Sequence, residues 1–133
     1  MKYYLDTNII IYALKNQYPL IWKHLAAVPS QSVVIPEIVI AEIEYGAQKS
    51  RSYEETISVY RQFTDTFVRT QFSGKAVIQY GIIRAALEKA GTPIGPNDLM
   101  IAATVLADDG ILVTKNTGEF SRIPGLRLED WTV

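Results

Sequence analysis

Residues Tyr3-Tyr4-Leu5 form an unbroken aromatic and apolar run, as in a short strand buried on both faces. Directly after it come Asp6, Thr7 and Asn8. Their side-chain oxygens accept from unpaired backbone N–H groups, so such residues start helices. The apolar run resumes at Ile9 and continues to Leu14. A strand, a polar stop and a helix are thus compressed into one short stretch, which commits the chain to an α/β beginning. In an open α/β sheet, ligands bind outside the carboxyl ends of the strands. Chain order alone places Asp6 there. It reads equally as a helix N-cap and as a functional carboxylate, and these few residues leave both readings open.

Composition narrows the chemistry. The 133 residues fit one domain, residues 1–133, and the 48% apolar content supplies a real core. Lys and Arg number 13 against 14 acids, so no global charge announces nucleic acid; any RNA contact must come from a local patch. There is no cysteine, and His24 is the only histidine, which excludes disulfides and Cys- or multi-His metal sites. A bound metal would have oxygen ligands, as Mg²⁺ or Mn²⁺ prefers. The first residues lead straight into Asp6 without a signal-like segment. No apolar run approaches the roughly 20 residues of a membrane span. The expected location is cytoplasmic.

Further along, strands alternate with helices. Leu20 to Ala27 reads as a short helix carrying His24 on a partly exposed face. Ser32 to Ile35 is a β-branched strand, and Pro36 opens the helix that follows. In that helix Glu37, Glu44, Gln48 and Arg51 share a solvated stripe. Glu42 lies roughly 200° round from Glu44, at about 100° per residue, beside Ile38, Val39, Tyr45 and Gly46. A carboxylate on that apolar side is costly unless something engages it. It either reaches water or an arginine at the stripe's edge, or points toward Asp6. Tyr53 to Thr66 is a further helix, and Val68 to Phe72 a short strand. Ser73 is the expected cap of a long helix ending at Lys89, with Val77, Tyr80, Gly81, Ile83 and Leu87 as its apolar stripe and Arg84 as a solvated charge. Gly91 is the expected left-handed cap.

Pro96 fits the first turn of the next helix, which runs to Ala107 and is apolar nearly all round from Leu99, so it must be buried. Asp98 falls in its first turn, where a carboxylate also suits the helix dipole. Asp108-Asp109-Gly110 reads as a turn. Ile111 to Thr114 is the next strand, and Lys115 to Phe120 leaves its carboxyl end. Asn116-Thr117-Gly118-Glu119 has capping-box spacing. The same turn could bring Glu119 toward Asp98 and Asp6. Leu126 to Glu129 is a last short strand, and Trp131 a packing anchor.

The alternation argues for a parallel sheet covered by helices on both faces. Asp6, Glu42, Asp98 and the Asn116–Glu119 segment then gather near its carboxyl edge. Two carboxylates about 4 Å apart repel by about 4 kcal/mol at an effective dielectric of 20. A divalent cation makes such a cluster tolerable, and it supports phosphodiester hydrolysis without histidine or cysteine.

Four segments resemble a known family. Tyr4-Leu5-Asp6-Thr7-Asn8-Ile9, Ile40-Ala41-Glu42-Ile43-Glu44-Tyr45-Gly46, Pro93 to Ala103, and Leu112 to Phe120 through Pro124-Gly125-Leu126 look like a PIN-domain ribonuclease, closest to the VapC-type toxins. Each motif alone is weak; four in this order and spacing are specific, and they span nearly the whole chain. The resemblance implies a five-stranded parallel sheet, Mg²⁺ with Mn²⁺ as an alternative, and endonucleolytic cleavage of RNA. It also implies a homodimer neutralised by a small antitoxin whose tail enters the active site. By the same likeness Asp6, Glu42 and Asp98 match the family's acidic metal-binding and catalytic residues. Thr7, Asn8 and Thr114 match its supporting polar shell. Many members carry an aspartate where this chain has Asn116, so Glu119 is the candidate for the missing acid and Asn116 joins the supporting shell.

Three other readings fit less of the chain. A haloacid-dehalogenase-type phosphatase needs an acid two residues beyond Asp6, where this chain has Asn8. A receiver domain needs an acidic pair at the first strand. A non-catalytic PIN-like domain that binds RNA or a partner is favoured by Asn116 and opposed by Asp6, Glu42 and Asp98.

Overall fold

Five short strands carry the architecture: the residues of the inner three are almost all buried, while those of the two edge strands are exposed or partly exposed. The structure, a computed structural model, describes residues 1–133. Strand β1 is Tyr3–Leu5, β2 is Val33–Pro36, β3 is Val68–Thr70, β4 is Ile111–Val113 and β5 is Arg127–Glu129. Every residue of β2 and β4 is buried, as are Tyr4 and Leu5 of β1. Strands this apolar need helices over both faces. All pairings are parallel, in the order β3-β2-β1-β4-β5. The chain builds outward from β1 to β3, then crosses back to lay β4 on the other side of β1. The β1–β4 boundary is therefore where the strand order reverses, the crevice that open α/β sheets use for ligands. The Asp6 amide extends the β1–β4 pairing by donating to the Val113 carbonyl at 3.2 Å.

Seven helices connect these strands. They are α1 Thr7–Leu14, α2 Leu20–Ala26, α3 Glu37–Lys49, α4 Tyr53–Thr64, α5 Lys75–Lys89, α6 Pro96–Ala107 and α7 Thr117–Phe120. The single α/β domain expected from the sequence is the one found, with element ends shifted by a few residues. Helix α6 is buried along most of its length, through Leu99 and Ile101 to Val105. Trp131 is the anchor expected: 1% exposed, it packs on Tyr3 and stacks on His24 at 5.4 Å and 8° between rings. His24 is thereby occupied with the chain's end, its Nε2 3.1 Å from the Val133 carbonyl.

Helix ends follow local chemistry. Helix α5 closes in a Schellman motif: Gly91 has φ 76°, its amide donates to the Glu88 carbonyl, and the Thr92 amide donates to the Leu87 carbonyl. Helix α6 repeats the motif, with Asp109 in the left-handed position at φ 52° and the Gly110 amide reaching the Val105 carbonyl. Gly110 has a second reason to be glycine, because a Cβ there would come within 2.4 Å of the buried Tyr4 ring.

Three expectations need correction. Ser73 does not cap α5; Gly74 is the N-cap, at φ 57° and ψ −122°, and no side chain caps the helix. A backbone bend that only glycine makes easily replaces the hydroxyl. Pro36 ends β2 and serves as the N-cap of α3, not as its first helical residue. On α5 the buried residues are Ala76, Ile83 and Leu87, while Val77, Ile78, Gly81 and Ile82 face outward. The helix is apolar on two sides, so periodicity could not choose between them.

Candidate active site

The end of β1 positions the first carboxylate. Asp6 is both N-cap and candidate ligand: its Oδ1 accepts the Ile9 amide at 3.0 Å, and the residue is 6% exposed. Burial pushes its pKa up to about 6, partly offset by the Thr114 hydroxyl and the Ile9 amide, and raised further by the charges of Asp98 and Glu42. Asp98, in the first turn of α6, is half-buried, and its pKa is also about 6. The causes are burial, then Glu119, then Glu42. The four acids thus feel one another: Asp6 feels Asp98 and Glu42, and Asp98 feels Glu119 and Glu42.

Helix α3 brings Glu42 to this group from the edge of its buried line, Val39, Ile43 and Ala47. Glu42 is half-buried and accepts a short hydrogen bond from the Thr7 hydroxyl at the start of α1. The edge position was one expected alternative; the protein partner it finds there is Thr7, not an arginine. Glu44 departs from its expected solvated role. It accepts from Tyr53 Oη at 2.6 Å and Arg61 at 3.0 Å, tying α3 to α4. The Tyr53 hydrogen bond and then Arg61 hold its carboxyl below the ordinary range. The two glutamates do face different ways, one to α1 and the other to α4.

Thr114 follows β4 and is fully buried. Its Oγ1 accepts the Asn116 amide at 3.0 Å. That bond takes the amide a capping box would offer to Glu119. Asn116 is the N-cap of α7, yet its side chain caps nothing; its Nδ2 donates to Glu119 Oε2 at 2.6 Å. The turn is therefore not a capping box. It is an amide–carboxylate pair at the site's rim. Asn8 is exposed and lines a cleft with Asp6, Tyr12, Lys115 and Asn116. Tyr12 and Lys115 were not singled out from sequence. Their signal was position: Tyr12 lies one helical turn beyond Asn8, and Lys115 sits between Thr114 and Asn116.

The donor set is all oxygen, the chemistry that hard divalent cations prefer. Two of its carboxylates, Asp6 and Asp98, are raised first by burial and then by neighbouring acids, a cost that a cation would relieve. No three acids converge closely enough to form a ready-made cage. Thr7 and Asn116 instead each hold one outer glutamate by a hydrogen bond from an uncharged donor.

The PIN-domain family model matches residues 3–126. The chain belongs to the PIN-domain family. Full-length relatives place it among the VapC ribonucleases. It is 39% identical over 132 residues to Ribonuclease VapC2 of Rickettsia felis, covering 98% of both chains. It is 38% identical over 131 residues to the tRNA(fMet)-specific endonuclease VapC of Salmonella typhimurium, again covering 98% of both. Its fold matches the solved VapBC2 of Rickettsia felis bound to a promoter DNA fragment, with TM-score 0.92, 38% identity and coverage of 98% of this chain and 99% of that one. It also matches DNA-bound VapBC of Salmonella typhimurium, with TM-score 0.93, 37% identity and 98% coverage of each. PIN-domain nucleases use a divalent metal, which suits the oxygen donors gathered here. No helix of this PIN domain is long and apolar enough to cross a membrane.

Proposed function

We propose that this PIN domain is a Mg²⁺-dependent endoribonuclease, with Mn²⁺ able to substitute, and that Asp6, Asp98 and Glu42 would draw together around the ion on binding it, since they form no ready-made cage without it. The observation that carries this reading is the pair of carboxylates, Asp6 and Asp98, both raised to about 6 at the sheet's switch point. When bound, the ion supplies Lewis acidity toward a phosphoryl oxygen and lowers the pKa of an attacking water. The protein's own part is positioning. The Ile9 amide fixes Asp6, Thr7 fixes Glu42, and buried Thr114 fixes the turn that carries Asn116. Asn116 orients Glu119, which adds a fourth negative charge, and Asn8 borders the substrate side.

The substrate class is RNA, with initiator tRNA the first candidate, since the Salmonella relative is named for it. The partner is a small antitoxin, as in the VapBC complexes whose toxin chains this fold matches. An apolar groove of about 330 Å³ lined by Leu14, Trp22, Leu25, Val59, Phe63 and Phe67 supports a protein partner. The exposed apolar side of α5 supports a homodimer. The test is cleavage of tRNA by the purified protein with Mg²⁺, with Mn²⁺ and with EDTA. Cleavage is expected only with metal, and Asp6→Asn is expected to lose most of it. Undiminished cleavage in EDTA would remove the proposal.

A further inference from the structure

The cleft that holds Asp6 has one cationic wall. Lys115 lines it with Asp6, Asn8, Tyr12 and Asn116, around a volume of about 260 Å³. A lysine in a cleft with a carboxylate would ordinarily close an ion pair. Lys115 does not: the molecule's ion pairs use Lys2, Arg61, Arg69, Arg84 and Arg127. Its ammonium lies 5.8 Å from the centre of the Tyr18 ring. Tyr18 meets Tyr12 edge to face, with centroids 4.9 Å apart and rings at 70°. Both rings are half-buried and pack on the core. The turn between them brings them together, with Asn16 at φ 54° and the Gln17 amide donating to the Tyr12 carbonyl.

This arrangement has a consequence for an RNA strand. A cation held by Asp6, Asp98 and Glu42 would offset the charge of the phosphate beside it, whereas the neighbouring phosphates would still approach a rim of carboxylates. A cation held on an aromatic face is stabilised there by the ring quadrupole yet keeps its charge for another anion. Held off the acids, Lys115 leaves them free and remains free itself.

We propose that Lys115, placed by Tyr18 and Tyr12, is a substrate-positioning residue that binds the RNA phosphate next to the scissile one. Tyr12, which lines the cleft and is backed by Tyr18, forms the wall against which the adjoining nucleotide rests, a contact that tolerates any base because every base has a π face. The proposal rests on the RNA-cleavage reading above.

The test uses the full-length protein at saturating Mn²⁺, with a hairpin RNA bearing a single-stranded loop, across a series of salt concentrations. Lys115→Gln is expected to raise KM about tenfold with kcat nearly unchanged, and to flatten the slope of log(kcat/KM) against log salt by about 0.7, the share of one single-strand phosphate. Lys115→Arg should restore both, and Lys2→Gln, which removes an exposed lysine paired with Asp108, should match wild type. Tyr18→Leu should show part of the KM effect and Tyr18→Phe none. The Mn²⁺ midpoint of Lys115→Gln should equal that of wild type. An unchanged KM and salt slope in Lys115→Gln would overturn the proposal. So would a kcat loss with a shifted Mn²⁺ midpoint, which would make Lys115 part of the metal chemistry. Either result leaves RNA cleavage by wild type standing. A wild-type protein that cleaves no RNA would instead overturn the cleavage reading, and this proposal with it.

Discussion

Asp6 shows how one side chain serves fold and chemistry at once. Its oxygen starts α1, and the same burial that makes the cap rigid raises its pKa to about 6. This coupling has a sign. The unfolded carboxyl titrates near 3.8, so between pH 3.8 and about 6 the folded state holds the proton more tightly. Stability therefore falls as pH rises through that window, and the full cost is present at neutral pH. Asn caps as well as Asp. Metal-free Asp6→Asn is accordingly expected to be more stable than wild type at neutral pH by about 2 kcal/mol, taking each pKa unit as about 1.4 kcal/mol and allowing for relaxation. Below pH 3.8 the two should converge. Urea unfolding in EDTA at both pH values measures this; equal stabilities at neutral pH would mean that the carboxylate is not strained. Asp98 adds a smaller share of the same sign, because it is only half-buried.

At the scale of elements, helix phase decides which acid does what. The 3.6-residue period of α3 turned Glu42 toward α1 and Glu44 away from it, and this was legible from spacing alone. The partners were not, because Thr7 and the Tyr53–Arg61 pair come from other elements. Glu42→Gln is expected to reduce metal-dependent cleavage at least tenfold, the cost of about 1.4 kcal/mol in transition-state stabilisation. Glu44→Gln should leave cleavage unchanged and lower stability by about 0.5 kcal/mol, as for an exposed pair. Equal losses of activity would place both on one face. The β4–α7 turn was less legible. Its spacing suited a capping box, but Thr114 already takes the Asn116 amide, and the Asn116 side chain turns to Glu119 instead. Gln at position 119 would keep that contact, because a Gln carbonyl accepts the same bond from Asn116. Glu119→Gln is therefore expected to hold thermal stability constant while raising the Mg²⁺ needed for half-maximal cleavage. An unchanged Mg²⁺ requirement would leave Glu119 a purely structural partner of Asn116.

For the whole molecule, the alternation of buried strands and helices was enough to give a parallel sheet, and the sheet's order then explains why residues 6, 98 and 116 share one edge. β1 and β4 lie side by side at the reversal, so residues just past Leu5 and Val113 face the same crevice. Sequence could place each acid at a strand end or a helix start, but not say how they would interact, because that depends on packing between elements distant in the chain. The clearest gap concerns α5. Its apolar residues exceed what one buried face can hold, and Ile78 and Ile82 remain 65% and 57% exposed, one helical turn apart. Val77 and Gly81 widen the same exposed side. Isolated exposed apolar residues are ordinary, whereas a contiguous stripe marks an interaction surface. A helix stripe suits a symmetric contact, since the same residues meet across a two-fold axis. Replacing Ile78 and Ile82 together by Glu sets like charges against each other across that axis. The double variant is expected to be monomeric by light scattering at concentrations where wild type is dimeric. Its melting temperature measured on the monomer should be nearly unchanged, because neither side chain contributes to the core. A wild type that is monomeric throughout would assign the stripe to another partner. A double variant that stays dimeric would place the two-fold contact on a different face.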